Sequence, residues 1–196
     1  MNIAFVGRKH SGKSTAALMA ASELCRRGTP ADVYSFAYPI KQMREALLGS
    51  AGILTPESKE EPITALPGQP SQRKIEQVLG TEAARDHWHP DFWLGHMALR
   101  LARRPASTAA LIDDVRFPNE LYWVRDQGFH VVWINRPGND FDTHLSEQAL
   151  SGYRRATNEW ALASDGTFAE LADRVEHLID QMSMQRAIDH SRRETP

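Results

Sequence analysis

Residues 7–14 read G-R-K-H-S-G-K-S and have the spacing G-x-x-x-x-G-K-S, which is typical of a loop that binds nucleotide phosphates. In such a loop (P-loop) the backbone N–H groups surround a phosphate, and the lysine adds positive charge near the β- and γ-phosphates. The serine hydroxyl is a ligand for Mg²⁺. Lys9 is a second cation in the loop and, with Lys13, a candidate catalytic residue. The predicted nucleotide-binding residues are Gly7, Ser11, Gly12, Lys13, Ser14 and Thr15.

A strand and a helix must hold this loop in place. Residues 2–6 form a short apolar run, as expected of a buried strand. Residues 15–27 are rich in alanine and leucine and stop at Gly28, as expected of a helix. A helix that begins near Lys13 directs the positive end of its dipole towards the phosphates. The order strand, glycine-rich loop and helix therefore supports nucleotide binding.

Two acids and an arginine follow a second apolar run. Residues 109–114 predict a buried strand that ends in Asp113 and Asp114. Both are candidate Mg²⁺ ligands with Ser14, and the sequence leaves the choice between them open; the alternative is a solvated pair of acids at a strand end. Two residues further on, the planar guanidinium of Arg116 suits an acceptor phosphate. The alternative is a structural ion pair between Arg116 and one of these acids or Glu120.

The rest of the chain alternates short apolar strands with helices, which predicts an α/β fold with a parallel sheet flanked by helices. In such sheets ligands bind at the carboxyl ends of the strands. The P-loop, Asp113, Asp114 and Arg136 each follow a predicted strand. We therefore expect them to converge on one cleft.

The predicted organisation is a single domain over residues 1–185 and a polar tail over residues 186–196. Residues 49–70 contain several glycines and prolines among polar residues, which predicts a long and mobile loop. A loop of this length is too long for a passive connection, so we expect it to take part in function.

Composition narrows the choice of partners. The net charge of −2 gives no strong basic field for nucleic acid, and no apolar run has the length of a membrane span. The single cysteine, Cys25, excludes an internal disulfide and is expected to be a buried residue of the first helix. Residues 1–6 show no signal peptide. We expect a cytoplasmic protein that binds neither nucleic acid nor membranes; a homodimer remains open.

Four segments besides the P-loop carry a family resemblance. Together with the P-loop, these segments resemble the phage-type deoxynucleoside monophosphate kinases and occur in the same order as in that family. Phosphomevalonate kinase is a more distant relative in pattern. Residues 35–41 are similar to a family stretch S-F-A-D-P-L-K, and residues 79–85 to a segment G-T-E-x-x-R. The segments are S-F-A-Y-P-I-K (35–41), L-G-T-E-A-A-R (79–85), D-V-R-F-P-N-E (114–120) and H-L-S-E (144–147).

The resemblance implies a P-loop NTPase fold of the nucleoside monophosphate kinase type, with a core, an acceptor-binding region and a lid. It places the lid at residues 137–150 and Arg136 at its start, where Arg136 could stabilise charge on the transferred group. It places Asp165 and Gly166 near the adenine of the donor. It assigns the acceptor to Lys41, Glu82, Arg85 and Arg116.

The chain departs from the family pattern at two positions. Tyr38 stands where aspartate is common, which leaves the preferred acceptor base open, and Ser164 stands where asparagine is common. The activity that follows is ATP- and Mg²⁺-dependent phosphorylation of a deoxynucleoside monophosphate, in the host cytoplasm if a phage encodes the chain. The alternative acceptor is another small phosphorylated compound, such as a phosphomevalonate-like substrate.

A regulatory GTP switch or a nucleic-acid motor subunit is the rival from a different class. A GTPase needs the strings N-K-x-D and D-x-x-G, and neither occurs in the sequence. The length and charge argue against a motor.

Three histidines and two tryptophans have alternative interpretations. His87, His89 and His96 resemble a metal cluster, but one distant cysteine and such loose spacing are weak signals for zinc. Trp88 and Trp93 could stack on a base, although aromatic residues at helical spacing are more often core residues.

Overall fold

The structure is a computed structural model that describes residues 1–136, 149–150 and 152–194, with the side chains of residues 190, 193 and 194 left out. These residues divide into two compact units. The sheet unit comprises the described residues of Met1–Ser35 and Arg104–Pro196, and the helical unit comprises Phe36–Arg103. The elements in chain order are β1 (Ile3–Val6), α1 (Lys13–Arg26), β2 (Ala31–Tyr34), α2 (Tyr38–Ser50), α3 (Gln72–Gln77), a π-helix (Val78–Trp88), α4 (Phe92–Ala102), β3 (Ala109–Val115), α5 (Pro118–Asp126), β4 (His130–Asn135), β5 (Trp160–Ala163) and α6 (Phe168–Glu194).

The strands of the described residues form one five-stranded sheet in the order β2-β3-β1-β4-β5, and every neighbouring pair is parallel. Ile3 and Phe5 of β1 pack into a cluster with the apolar sides of α1 and α6. Side chains alternate between the faces of a strand, so Ala4 and Val6, which are also fully buried, lie on the opposite face. A strand buried on both faces is typical of a parallel α/β sheet. The predicted fold class is confirmed.

The chain reverses its direction of winding between β1 and β3. From β1 it passes through α1 to β2, which lies beyond β3, whereas from β3 it passes through α5 to β4, on the other side of β1. The loops after β1 and β3 therefore diverge at the carboxyl edge, and such a switch point is where open α/β sheets bind their ligands. The sheet thus places the P-loop beside the acids that end β3.

A β-bulge lies at those acids. Ala4 of β1 aligns with Ile112, and Val6 aligns with Val115, so one residue of β1 faces two residues of β3. The two are Asp113 and Asp114. Because a bulge bends its strand and redirects side chains, the regular alternation of β3 breaks where its carboxylates stand.

The helical unit contains its own small core, in which Leu48, Ile63 and Ile75 are buried. Ile63 lies inside the segment 49–70 that the sequence predicts to be mobile, and its N–H donates to the carbonyl of Pro70 at 3.1 Å. A single antiparallel bridge joins Pro62 to Ser71. The segment thus has a packed anchor, and its mobility stays a prediction.

One local expectation was wrong, and two helices differ in detail from what the sequence indicates. Cys25 is exposed, because it follows the buried Leu24 by one residue and a single step turns it about 100° around the helix, away from the core. The predicted polar tail continues α6 as far as Glu194. The chain is helical from Gln72, and its spacing changes to that of a π-helix at Val78, a change that the sequence did not predict.

Candidate active site

The backbone of the P-loop runs so close to its neighbours that two positions must be glycine. A Cβ on Gly7 would lie 2.6 Å from the carbonyl oxygen of Ile134 on β4 and 2.9 Å from Oγ of Ser11. Gly12 precedes α1 with a φ of 92°, a left-handed conformation that favours glycine, and its Cβ would lie 3.3 Å from Oγ of Ser164. The two glycines therefore let the loop pack directly against β4 and against Ser164.

Lys13 folds back over the loop that precedes it. Its Nζ donates to the carbonyl oxygen of Gly7 at 2.6 Å and also to the carbonyl oxygen of Arg8. The side chain is buried, with 5% of its surface exposed. Ser14, one residue later, is exposed in the first turn of α1. The loop thus holds one positive charge inside its curve and offers a hydroxyl next to it.

The segment after β5 is tied to the P-loop. Oγ of Ser164 donates to the backbone carbonyl of Ser11, and the N–H of Ser164 donates to the carbonyl of Asn135 at 2.9 Å. Ser164, noted as a departure from the family pattern, is thus the residue that connects the predicted donor segment to the P-loop.

Asp165 and Gly166 follow in a turn that α6 stabilises. Arg174 donates to the carboxylate of Asp165 at 2.6 Å and to its backbone carbonyl at 2.9 Å. The carboxylate of Glu170 accepts the N–H of Thr167 at 2.7 Å, and its bonds from the backbone and hydroxyl of Thr167 hold its pKa below the usual value. The turn has a fixed shape beside the P-loop.

Asp114 has a partner on the neighbouring strand. The hydroxyl of Ser35, which directly follows β2, donates to Oδ2 of Asp114 at 2.6 Å. Asp114 is buried, and Asp113 is half-buried. The bulge and this hydrogen bond together orient the acidic end of β3. Sequence reasoning gave Ser35 no role, although its place at the end of β2 was a usable signal.

Glu120 anchors the backbone at Arg116. Its carboxylate accepts the N–H of Arg116 at 2.8 Å and the N–H of Phe117 at 3.1 Å. Glu120 is 1% exposed and caps the N-terminus of α5. These two bonds fix the backbone from which Arg116 projects. The alternative of an ion pair between the Arg116 side chain and Asp113, Asp114 or Glu120 stays a prediction.

The remaining candidates of the sheet unit lie at its loops. Lys9 is half-buried in the P-loop, and Arg136 is exposed directly after β4. The predicted lid, residues 137–150, lies outside the described residues except for residues 149 and 150, and so does the segment 144–147.

The helical unit carries Lys41, Glu82 and Arg85. Lys41 is half-buried on α2. Oε1 of Glu82 forms an exposed ion pair with Nζ of Lys74 at 2.8 Å. Nη1 of Arg85 donates to the carbonyl of Pro90 at 3.4 Å. Glu82 and Arg85 both lie on the π-helix. This conformation is rare in proteins, and where it occurs it is often at a functional site.

Tyr38 at the start of α2 has a cation over its ring. The guanidinium carbon of Arg100 lies 4.7 Å from the ring centroid, and 48% of the tyrosine surface is exposed. The residue that departs from the family's aspartate is therefore an aromatic surface with a charged neighbour.

The histidines form no recognisable metal site in the described part of the chain, which holds no group of three potential ligands. Nδ1 of His89 instead accepts the N–H of Asp91 at 3.0 Å. Trp93 is a core residue, whereas Trp88 is 64% exposed. None of the helices in the described residues is long and apolar enough to cross a bilayer.

Comparison with known proteins identifies relatives of the same kind. A family model for deoxynucleotide monophosphate kinase matches residues 50–175. A provisionally named deoxynucleotide monophosphate kinase of Acanthamoeba polyphaga mimivirus is 31% identical over 195 residues, which cover 92% of this chain and 97% of that protein. The match to the family model begins after the P-loop, so the P-loop motif and the family match come from different parts of the chain.

Solved structures add the fold. A gluconokinase from Sinorhizobium meliloti 1021 has a TM-score of 0.50 at 14% identity over 96% of each chain. The APS kinase CysC of Mycobacterium tuberculosis in complex with AMPPNP and APS has a TM-score of 0.45 at 20% identity, over 91% of this chain and 98% of that chain. The first likeness shows a shared α/β fold. With a P-loop at the switch point of its sheet, the chain belongs to the deoxynucleotide monophosphate kinase family and is a phosphotransferase of the nucleoside monophosphate kinase type.

Proposed function

We propose that the enzyme transfers the γ-phosphoryl group of ATP to a deoxynucleoside monophosphate. A phosphate oxygen of the acceptor forms a bond to the γ-phosphorus, the bond from that phosphorus to the β,γ-bridging oxygen breaks, and ADP and a deoxynucleoside diphosphate leave. The observation that carries the proposal is the P-loop at the switch point, beside Asp113 and Asp114, in a chain of this family.

The donor is assigned to the sheet unit. The backbone of residues 7–15 binds the phosphates, and Lys13 exchanges the carbonyls of Gly7 and Arg8 for phosphate oxygens. Oγ of Ser11 is buried and lacks a hydrogen-bond partner among the described residues, which fits a loop built for a further acceptor. Asp165 and Gly166 are assigned to the adenine, and the bond from Ser164 to the P-loop supports this assignment.

The oxygen donors of the site fit Mg²⁺. Ser14 contributes a hydroxyl, and Asp113 and Asp114 contribute carboxylates, which are the hard ligands that this ion prefers. When bound, Mg²⁺ neutralises charge on the β- and γ-phosphates. Ser35 keeps Asp114 in one orientation, so the residues are arranged before the metal arrives.

The acceptor is assigned to a set of charged side chains. Arg116 binds the acceptor phosphate through its planar guanidinium, while Arg136 and Lys9 stabilise charge on the transferred group. Lys41, Glu82 and Arg85 contact the acceptor nucleotide. The reaction needs positioning and electrostatic stabilisation, with no covalent intermediate.

The partners are small molecules in this proposal, with no nucleic acid and no membrane. The net charge of −2 supports it, because a nucleic-acid track would carry a basic excess. A single cysteine fits the reducing cytoplasm, which is the host's cytoplasm if a phage encodes the chain.

One observation favours a second acceptor class. Tyr38 stands where the family pattern has aspartate, which favours a nucleotide with a modified base or another small phosphorylated compound as the acceptor. The test is a phosphoryl-transfer assay with ATP across all common deoxynucleoside monophosphates, a base-modified one and phosphomevalonate. Product with at least one deoxynucleoside monophosphate supports the proposal. Transfer to phosphomevalonate alone, or ATP hydrolysis that no acceptor stimulates, contradicts it.

A further inference from the structure

Gly80 on the π-helix is pressed against α2. A Cβ at this position would lie 2.7 Å from Cδ1 of Ile40, but 3.7 and 3.8 Å from its Cγ1 and Cγ2. A side chain at position 80 therefore requires the terminal methyl group of Ile40 to move. The helix α2 rests directly on the backbone of the π-helix.

The same glycine is held from a third element. Nε1 of Trp93 on α4 donates to the carbonyl oxygen of Gly80 at 2.8 Å. Trp93 is 3% exposed, so this hydrogen bond is sheltered from water. Gly80, Ile40 and Trp93 thus form one contact group, which we name the Gly80 junction.

The geometry of the π-helix at the junction affects the direction of the side chains that follow it. In a π-helix each hydrogen-bonded turn holds one residue more than in an α-helix, and the bond from the N–H of His89 to the carbonyl of Ala84 has this spacing. Side chains that follow Gly80 are therefore turned away from the direction that an α-helix would give them. Glu82 and Arg85 follow it by two and five residues.

A π-helix of eleven residues needs support from its surroundings, because this conformation appears mostly as single turns. The junction supplies it from two sides. We propose that the Gly80 junction is a positioning device: it holds the π-helix in the geometry that directs Arg85 and Glu82 at the acceptor nucleotide. Lys41 directly follows Ile40 on α2, so the contact between Ile40 and Gly80 also positions the backbone from which the Lys41 side chain extends. The proposal rests on the proposed function, which assigns these three side chains to the acceptor.

The competing explanation is that the junction only packs the helical unit and does not affect acceptor binding. Steady-state kinetics distinguish this explanation from the positioning role. Gly80→Ala adds one methyl group against Cδ1 of Ile40 and favours α-helical spacing. Ile40→Val removes that Cδ1, so Gly80→Ala/Ile40→Val restores the space. Gly95→Ala is the matched control, because a Cβ there meets nothing within 4 Å and Gly95 lies in the same unit.

The expected result is an acceptor KM that rises about tenfold or more in Gly80→Ala, since a shift of about an ångström in a binding group can cost up to about a hundredfold. The KM for ATP should change less than about twofold, and the double variant should recover most of the loss. Trp93→Phe should also raise the acceptor KM. Gly95→Ala should match wild type.

Amide hydrogen exchange gives a readout that does not need turnover. Protection over residues 78–88 should fall in Gly80→Ala and return in the double variant. Equal rises in both KM values, an unchanged acceptor KM in folded Gly80→Ala, or a double variant without recovery would overturn the proposal. If wild type phosphorylates no deoxynucleoside monophosphate, the proposed function fails instead. The exchange data then decide whether the junction holds the π-helix: unchanged protection in Gly80→Ala overturns that as well.

Discussion

The hydroxyl of Ser35 donates a hydrogen bond to the carboxylate of Asp114 across two neighbouring strands, at 2.6 Å. The serine directly follows β2, and the aspartate lies at the bulge of β3. A buried carboxylate beside a nucleotide-binding loop is thus held by a group 79 residues away in sequence.

Ser35→Ala should weaken the binding of Mg²⁺, because the variant removes a hydrogen-bond donor that orients Asp114. Loss of a residue that orients a metal ligand typically costs about 10- to 100-fold in metal affinity. The Mg²⁺ concentration for half-maximal rate should rise by about tenfold at saturating ATP. Ser50→Ala, at an exposed serine, is the control. An unchanged Mg²⁺ titration in folded Ser35→Ala would show that Asp114 needs no such support.

Lys13→Ala should abolish phosphoryl transfer and leave the fold intact. The variant removes the charge held inside the P-loop, and loss of comparable charge stabilisation costs about 10²–10³ in rate. Turnover and thermal unfolding should be measured on the same sample. Near-normal turnover in a folded variant would contradict the assignment of residues 7–14 as the P-loop.

Arg116→Lys should impair the acceptor more than ATP. Lysine keeps the charge but loses the paired N–H groups that bind two oxygens of one phosphate. The acceptor KM should rise by about tenfold or the kcat should fall, with the ATP KM nearly constant. Arg103→Lys, at an exposed arginine, is the matched control. A rise confined to the ATP KM would contradict the assignment.

Glu159→Gln should destabilise the sheet unit, and more at neutral than at acidic pH. Burial raises the pKa of Glu159, but hydrogen bonds from Arg125, the amide of Ala156 and the indole of Trp133 outweigh it and place the pKa below the usual value. The ionised form therefore adds stability above about pH 4.5, which is lost as the pH falls through the lowered pKa.

The expected loss in Glu159→Gln is about 1–3 kcal/mol at pH 7, since Arg125 keeps partial access to water. Urea unfolding at pH 7 and pH 4 measures it, with the exposed Glu57→Gln as control. The gap between wild type and variant should narrow at pH 4. A gap of equal size at both values would mean that charge has no part in it.

The sequence predicted what depends on local spacing. The P-loop, the strand before it and the acids at the end of β3 are short patterns with a direct physical meaning, and the parallel α/β fold follows from their alternation with helices. The family predicted from the five segments is confirmed by the match over residues 50–175. The catalytic and binding roles of individual residues stay predictions.

What the sequence did not reveal depends on distant partners. Nothing near Ser35 indicates Asp114, and nothing near Glu159 indicates Arg125 and Trp133, because strand order alone brings them together. The π-helix was missed for a related reason. The residues that contact it at Gly80 are Ile40 and Trp93, and both lie outside it.

The bonds from Lys13 to the carbonyls of Gly7 and Arg8 have a consequence for substrate affinity. A triphosphate must compete with these carbonyls for the ammonium group, so the net gain on binding is the difference between two sets of hydrogen bonds. The P-loop also satisfies its own lysine between turnovers, and the ammonium group stays ordered without an anion. In the proposed reaction, these bonds let the loop keep its shape while ADP leaves and ATP enters.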